Sequence, residues 1–298
     1  MKILVLGRDG QVGTALMGLL PPLGEIRGYG RAGGDLETPG KIAALVAEER
    51  PDAIVNAAAY TAVDKAESEP DRARRVNAEA LAELGAAAKA VGAWVIHYST
   101  DYVFDGSGKT PWRETDATAP LSTYGATKRD GELALAASGA KHLIFRTSWV
   151  HAPGGNNFIA KILKLAAERE ELKVIDDQVG APTSARLIAE VTRQALERID
   201  AGRPIPEGIY HLAAAGETTW NGYARFAVAD AIARGAALKV TPERVLPVPS
   251  TAFPTPAQRP LNSRLDTTKL RLALGMALPD WQEDVRQTLD AIKPEATP

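Results

Sequence analysis

The chain has no cysteine among its 298 residues. Disulfides, thiolate nucleophiles and zinc–sulfur sites are therefore excluded, and the composition fits a reducing cytoplasm. A dominant charge sign is also missing, since 35 basic residues face 37 acidic ones for a net charge of −2. A nucleic-acid partner would call for a basic surface, so none is expected. No apolar run reaches about 18 residues, so no membrane partner is expected either. The N-terminus passes straight into Ile3-Leu-Val-Leu6, without the long apolar region and cleavage site of a secretory signal. No group of His, Asp and Glu shows metal-ligand spacing. Ser99 is not in a G-x-S-x-G elbow, which speaks against a hydrolase triad. His97 and His142 sit in apolar strand contexts and read as packed core residues. No internal repeat occurs, and the one low-complexity stretch is a short polar tail at 293–298.

What is present is an alternation. Apolar residues make up 45% of the chain, enough for a large core and about two domains. Short strands are predicted at Lys2–Leu6, Glu25–Tyr29, Ala53–Asn56, Trp94–Ser99 and His142–Thr147. Between them, helices are predicted at Val12–Leu20, Lys41–Arg50, Asp71–Val91 and Thr123–Ser138. This order implies an α/β fold: a doubly wound parallel sheet of the Rossmann type with right-handed crossovers. After Ser148 the rhythm changes. Helices are expected at Asn157–Glu168, Ser184–Ile199 and Trp220–Ala233, with strands at Leu172–Ile175 and Gly208–Leu212. The proline-rich stretch Pro242–Pro260 suits neither a regular helix nor a central strand, and reads as ordered loop. The expected division is a dinucleotide-binding domain from 1–150 and roughly 182–215. A smaller C-terminal substrate-binding domain would come from roughly 151–181 and 216–298.

Three segments carry chemistry. In Gly7-Arg-Asp-Gly-Gln-Val-Gly13 the glycines join the first strand to the first helix, where backbone N–H groups and the helix dipole suit a pyrophosphate. Their spacing is wider than the common G-x-G-x-x-G, and a plain strand-to-helix turn is the alternative. Ser99 and Thr100 end a strand that faces the same crevice, where a hydroxyl could bond a carbonyl oxygen or merely cap a turn. Asp101 could orient substrate hydroxyls or cap that turn. Tyr124 and Lys128 stand at i and i+4 on one helix face. An ammonium beside a phenol favours phenolate and lowers a pKa of about 10. A further segment, Asn56-Ala-Ala-Ala-Tyr60, has small residues at a strand end, suited either to a ribose or to helix packing. Together these features suggest a nicotinamide-dependent reductase.

On these residues the chain resembles the extended short-chain dehydrogenases/reductases, and within them the dTDP-4-dehydrorhamnose reductase branch. The distinctive pieces are Gly10–Gly13, Val55–Glu67, Tyr98–Phe104, Tyr124–Lys128, Phe145–Val150, Gly155–Phe158, Asp177–Thr183 and Arg259–Arg264. The resemblance implies reduction, with NADPH, of the C4 keto group of dTDP-4-dehydro-β-L-rhamnose to dTDP-L-rhamnose. That is the last step of dTDP-rhamnose synthesis for cell-surface polysaccharide. It implies Tyr124 as proton donor, Lys128 as the residue that lowers its pKa and holds the nicotinamide ribose, and Thr100 as support for the substrate oxygen. It places Gly7, Gly10, Gln11, Val12, Asp35, Leu36, Ala58, Ala59 and Tyr60 around the cofactor, and Asp101 and Trp149 on the sugar nucleotide. Arg259 and Arg264 have planar forks suited to the diphosphate, although either could instead tie two parts of the chain together by an ion pair. Arg31 follows the second strand where an NAD-selective site usually carries an acid, so NADPH is expected to be preferred with NADH still accepted. Some members are thought to dimerise around Mg2+ held by carboxylates. The matching positions, Ala15 and Arg186, are not acidic, so a monomer or weak homodimer is expected. Two other readings stay open. One is a non-catalytic nucleotide-binding regulator, since the regulatory subunit of eukaryotic methionine adenosyltransferase resembles this fold. The other is a reductase of a different dTDP-4-keto-6-deoxy sugar.

Overall fold

The computed structural model describes residues 1–155 and 157–292. Asn156, within the Gly155–Phe158 motif, and the polar tail at 293–298 lie outside the described residues. The early strands are β1 (Lys2–Leu6), β2 (Glu25–Tyr29), β3 (Ala53–Asn56), β4 (Trp94–Thr100) and β5 (His142–Thr147). Beyond them come β6 (Val150–His151), β7 (Leu172–Ile175), β8 (Val179–Gly180), β9 (Thr183–Ser184), β10 (Gly208–His211), β11 (Thr218–Thr219) and β12 (Val245–Val248). Six of these form one parallel sheet in the order β10-β5-β4-β3-β1-β2. The chain winds outward from β1 to β2, then returns past β1 to β3 and onward. That reversal opens a crevice beyond the C-terminal ends of β1 and β3, the usual ligand position in such sheets.

The period of two along each strand decides which helices cover which face. Ile3 and Val5 face one side, where they pack with Leu16 of α1 (Gln11–Leu19). Later helices are α2 (Lys41–Glu49), α3 (Val63–Ala66), α4 (Pro70–Arg74), α5 (Ala80–Val91), α6 (Thr123–Ala137), α7 (Phe158–Glu168) and α8 (Ala185–Asp200). Ile188 and Val191 of α8 join the cluster of Ile3 and Val5. Leu4 and Leu6 face the opposite side and meet Ile42 of α2, Leu81 and Leu84 of α5, and Leu135 of α6. Both faces are thus dry, which explains why the central strands are apolar throughout.

One predicted helix differs. Asp71–Val91 is not a single α-helix: α4 and α5 are joined by a π-helical turn at Arg75–Glu79. Periodicity cannot register this, since the insertion answers a tertiary demand. Asn77 lies in that turn and turns inward, as described below. The other boundaries agree within a residue or so, with Ser122, Asn157 and Ser184 acting as N-caps through their side chains.

The remaining helices are α9 (Trp220–Ala233), α10 (Thr268–Leu274) and α11 (Trp281–Ala291). Ile162 of α7, Leu172 and Val174 of β7, Val228 of α9 and Val245 of β12 form a separate small core. The proline-rich stretch is ordered, and part of it is β12, which pairs in parallel with β7. Its Pro247 is tolerated because the ladder has only two strands, so one edge needs no N–H donor. No helix of the described residues is long and apolar enough to cross a membrane.

Candidate functional site

The glycine turn is shaped by contact. Gly7 has φ +78°, and a Cβ there would sit 2.7 Å from the Ala58 backbone nitrogen. A Cβ on Gly13 would overlap the Gly7 carbonyl oxygen. The turn therefore lies against the end of β3 with bare backbone, and α1 starts directly after it. A cavity of about 880 Å³ opens over this turn and runs along the strand ends. Gly7, Gly10, Gln11 and Val12 line it from the turn, and Arg31, Asp35 and Leu36 from beyond β2. Ala58, Ala59 and Tyr60 line it after β3, and Thr100, Asp101, Tyr124, Lys128 and Trp149 after β4 and β5. A cradle that side chains would fill, a helix N-terminus and an elongated cavity together fit a dinucleotide.

The loop after β3 is held by the side chains of two asparagines, a role that the sequence pattern does not reveal. Asn56 Oδ1 accepts from the Ala58 N–H at 3.1 Å. Asn77 Oδ1 accepts from the Tyr60 N–H at 2.9 Å, while its amide donates to the Tyr60 carbonyl and to Thr127 of α6 at 3.2 Å each. The π-turn thus couples the cofactor loop to the helix that carries Tyr124 and Lys128. At the start of that helix, Glu67 accepts from the Thr123 N–H and hydroxyl at 2.8 and 3.0 Å.

Lys128 is 2% exposed. Its ammonium donates to the Tyr98 carbonyl at 2.7 Å and lies 3.0 Å from His97 Nε2. His97 is buried, as the sequence suggested, but it is no mere packing residue. Its Nδ1 meets the Asn56 amide at 3.2 Å, linking the lysine to the cofactor loop. Burial lowers the Lys128 pKa to about 8, against the pull of the Glu132 carboxylate. Glu132 is itself held by a buried bidentate pair with Arg146 at 2.9 and 2.6 Å.

Tyr124 departs from expectation. Burial, the larger influence, pushes its phenol up to about 12, although the Thr100 hydroxyl pulls it down. The i, i+4 spacing implies that Lys128 lowers this pKa. In the fold the lysine is instead engaged with His97 and the Tyr98 carbonyl, and desolvation of the phenol dominates. Thr100 does cap the turn that follows, accepting from the Tyr102 N–H at 3.2 Å, yet it lines the cavity as well. Burial raises Asp101 to about 6, against hydrogen bonds from Ser263 and Thr100, and its Oδ2 has no partner among the described residues. Ser99 Oγ, also buried, is likewise without a partner among them.

Trp149 is held at φ +48°, a conformation rare for a bulky residue, and stacks on Trp220 with ring centroids 3.8 Å apart. Strain of this kind is commonly kept where a site requires it. Trp220 also lines the cavity, and its position beside Trp149 could not be inferred from sequence. Arg259 stands apart from the cavity lining. Its Nη2 donates to Asp64 Oδ2 at 2.8 Å, and Arg264 Nε pairs with Glu217 at 2.6 Å. Both arginines therefore hold ion pairs. No cluster of three or more His, Asp or Glu among the described residues could bind a metal, and Ala15 and Arg186 bring no carboxylate.

The arrangement can hold a dinucleotide along the strand ends and present a phenol, a hydroxyl and a carboxyl to a second ligand beside it. A family described as RmlD substrate binding domain matches residues 1–293. The chain is 52% identical over 296 residues to dTDP-4-dehydrorhamnose reductase of Shigella flexneri, covering 98% of both chains. A crystal structure of a dTDP-4-dehydrorhamnose reductase from Clostridium acetobutylicum superposes with a TM-score of 0.87 at 36% identity, over 97% of this chain and 99% of that one. The Bacillus anthracis enzyme of that name, in complex with NADP, gives 0.88 at 32% identity, over 97% and 98%. With a family match along almost the whole length and half its residues shared with such an enzyme, the chain belongs to the dTDP-4-dehydrorhamnose reductase family.

Proposed function

We propose that this chain reduces the C4 keto group of dTDP-4-dehydro-β-L-rhamnose to give dTDP-L-rhamnose, with NADPH as reductant. The observation that carries this reading is the convergence of Tyr124, Lys128, Thr100 and Asp101 with the glycine turn on one cavity. Bound NADPH supplies the hydride. Tyr124 donates its phenolic proton to the C4 oxygen as charge grows there, and the Thr100 hydroxyl stabilises that charge. Lys128 holds the nicotinamide ribose, with His97 and the Tyr98 carbonyl fixing its Nζ. Asp101 and Trp149 contact the sugar nucleotide. Segments 1–150 and roughly 182–215 serve the dinucleotide, and roughly 151–181 and 216–298 the sugar. The protein works in the cytoplasm as a monomer or weak homodimer, and Ala15 and Arg186 offer a bridging Mg2+ no carboxylate. Purified protein incubated with NADPH and dTDP-4-keto-6-deoxy sugars tests the reading, with product stereochemistry fixed by NMR. Binding of the sugar nucleotide without turnover would indicate a regulator, and another epimer as product a different reductase.

Two substitutions probe the ends of the site. Arg31 is exposed at the ribose end of the cavity. Arg31→Ala is expected to weaken NADPH binding by roughly 1 kcal/mol, the upper range for a solvent-screened ion pair, and to leave NADH nearly unaffected. Equal loss for both cofactors would remove Arg31 from the 2′-phosphate. Arg259→Ala is expected to raise KM for the sugar nucleotide while leaving that for NADPH alone. For the arginine to reach the diphosphate, it must exchange Asp64 for the ligand. An unchanged KM would leave Arg259 as a tie between segments only.

A further inference from the structure

In a sheet of this order, the residue just past the second strand stands beside the adenosine ribose of a bound dinucleotide. Here that residue is Gly30, whose bare backbone leaves space that the exposed Asp9 side chain occupies. A Cβ on Gly30 would overlap the Asp9 carboxylate, which reaches over from the glycine turn. Asp9 Oδ1 lies 3.3 Å from Arg8 Nε, and Arg8 Nη1 donates to the Gly28 carbonyl at 3.2 Å. Gly30 therefore makes room for Asp9, while a Cβ on Gly28 would meet Met17 Sδ at 2.6 Å before Arg8 Cδ at 3.2 Å. Asp9, Gly30, Arg31 and Asp35 all border the same cavity.

We infer that Asp9 supplies, from the glycine turn, the carboxylate that an NAD-using site usually carries at the end of its second strand, and so limits the preference for NADPH. This rests on the reading of the cavity as an NADPH site. A carboxylate accepts a hydrogen bond from a ribose 2′-hydroxyl and repels a 2′-phosphate, while Arg31 and Arg8 attract the phosphate. The other charges nearby are held in place by their own neighbours, as Asp9 is by the adjacent Arg8. Asp35 accepts from the Glu37 N–H at 3.0 Å and from the Thr38 hydroxyl at 2.7 Å. Arg72 is paired with Glu37 at 2.8 Å and with Glu69 at 3.2 Å. Asp9, exposed and paired only with its chain neighbour Arg8 among the described residues, is the carboxylate here that can turn to the ribose, and its balance against Arg31 shifts the choice between the two cofactors.

The test is a titration of both cofactors, followed by fluorescence, on the unmodified protein and on Asp9→Asn and Asp9→Glu at low and high salt. Asp9→Asn is expected to bind NADPH about 5- to 10-fold more tightly, as removal of an exposed like charge allows. NADH should change by less than about threefold, because the amide oxygen still accepts the 2′-hydroxyl. The gain should shrink with salt, and Asp9→Glu should keep a ratio close to that of the unmodified protein. An unchanged NADPH-to-NADH ratio in Asp9→Asn overturns the inference, as does equal weakening of both, which would mark Asp9 as a support of the turn alone. A different failure, no NADPH binding by the unmodified protein, would overturn the reading of the cavity itself.

Discussion

Tyr124→Phe is expected to lower turnover by about 100- to 10,000-fold, the usual contribution of a positioned general acid, with NADPH binding nearly intact. The ring keeps its packing, including the edge-on contact with Tyr102 at 5.6 Å between centroids. What disappears is the proton. In this fold burial raises the phenol to about 12, so the group enters the reaction protonated at neutral pH. As an acid it must carry that proton, so the rate of the unmodified enzyme should fall as pH rises through the phenol's pKa. The phenylalanine variant should lack that alkaline limb. Lys128→Ala provides the contrast, since it should weaken both turnover and cofactor binding. Turnover close to the unmodified level in purified Tyr124→Phe would remove the tyrosine from the chemistry, and a retained alkaline limb would assign that limb to another group.

Glu132→Gln is expected to destabilise the protein by about 3–5 kcal/mol, the range for breaking a buried ion pair from one side. Glu132 and Arg146 have side chains each 3% exposed, joined by two short hydrogen bonds. The substitution keeps the shape and strands a guanidinium, whose Nη1 already has no partner among the described residues. The Arg146 guanidinium also lies 5.1 Å from the Phe104 ring, behind the loop that carries Thr100 and Asp101. A fall in the denaturant midpoint at unchanged slope measures the loss. A shift of less than about 1 kcal/mol would mean that Arg146 finds water or another acceptor. Without the carboxylate, Lys128 loses the negative charge that opposes its desolvation, so its pKa should fall further.

Much was determined locally and was therefore legible in the residues. Ile3-Leu-Val-Leu6 followed by a glycine turn reads as a buried parallel strand and a tight strand-to-helix turn, because apolar runs and steric freedom act over a few residues. The i, i+4 spacing of Tyr124 and Lys128 likewise guarantees a shared helix face. Specific strings such as Tyr98–Phe104 pointed to the family without any geometry. What only the tertiary structure decided depends on partners far apart in sequence. His97 reaches Lys128 across 31 positions, and Arg259 reaches Asp64 across 195. The π-turn at Arg75–Glu79 exists where Asn77 must bond the loop at Tyr60, a demand invisible to helix propensity. The Tyr124 pKa followed burial, a property of the packed whole, and not the neighbouring lysine on the same helix. Asp9 over Gly30 is of the same kind: the missing acid after β2 was present in the sequence 21 positions earlier, and only parallel pairing of β1 with β2 brought the two together.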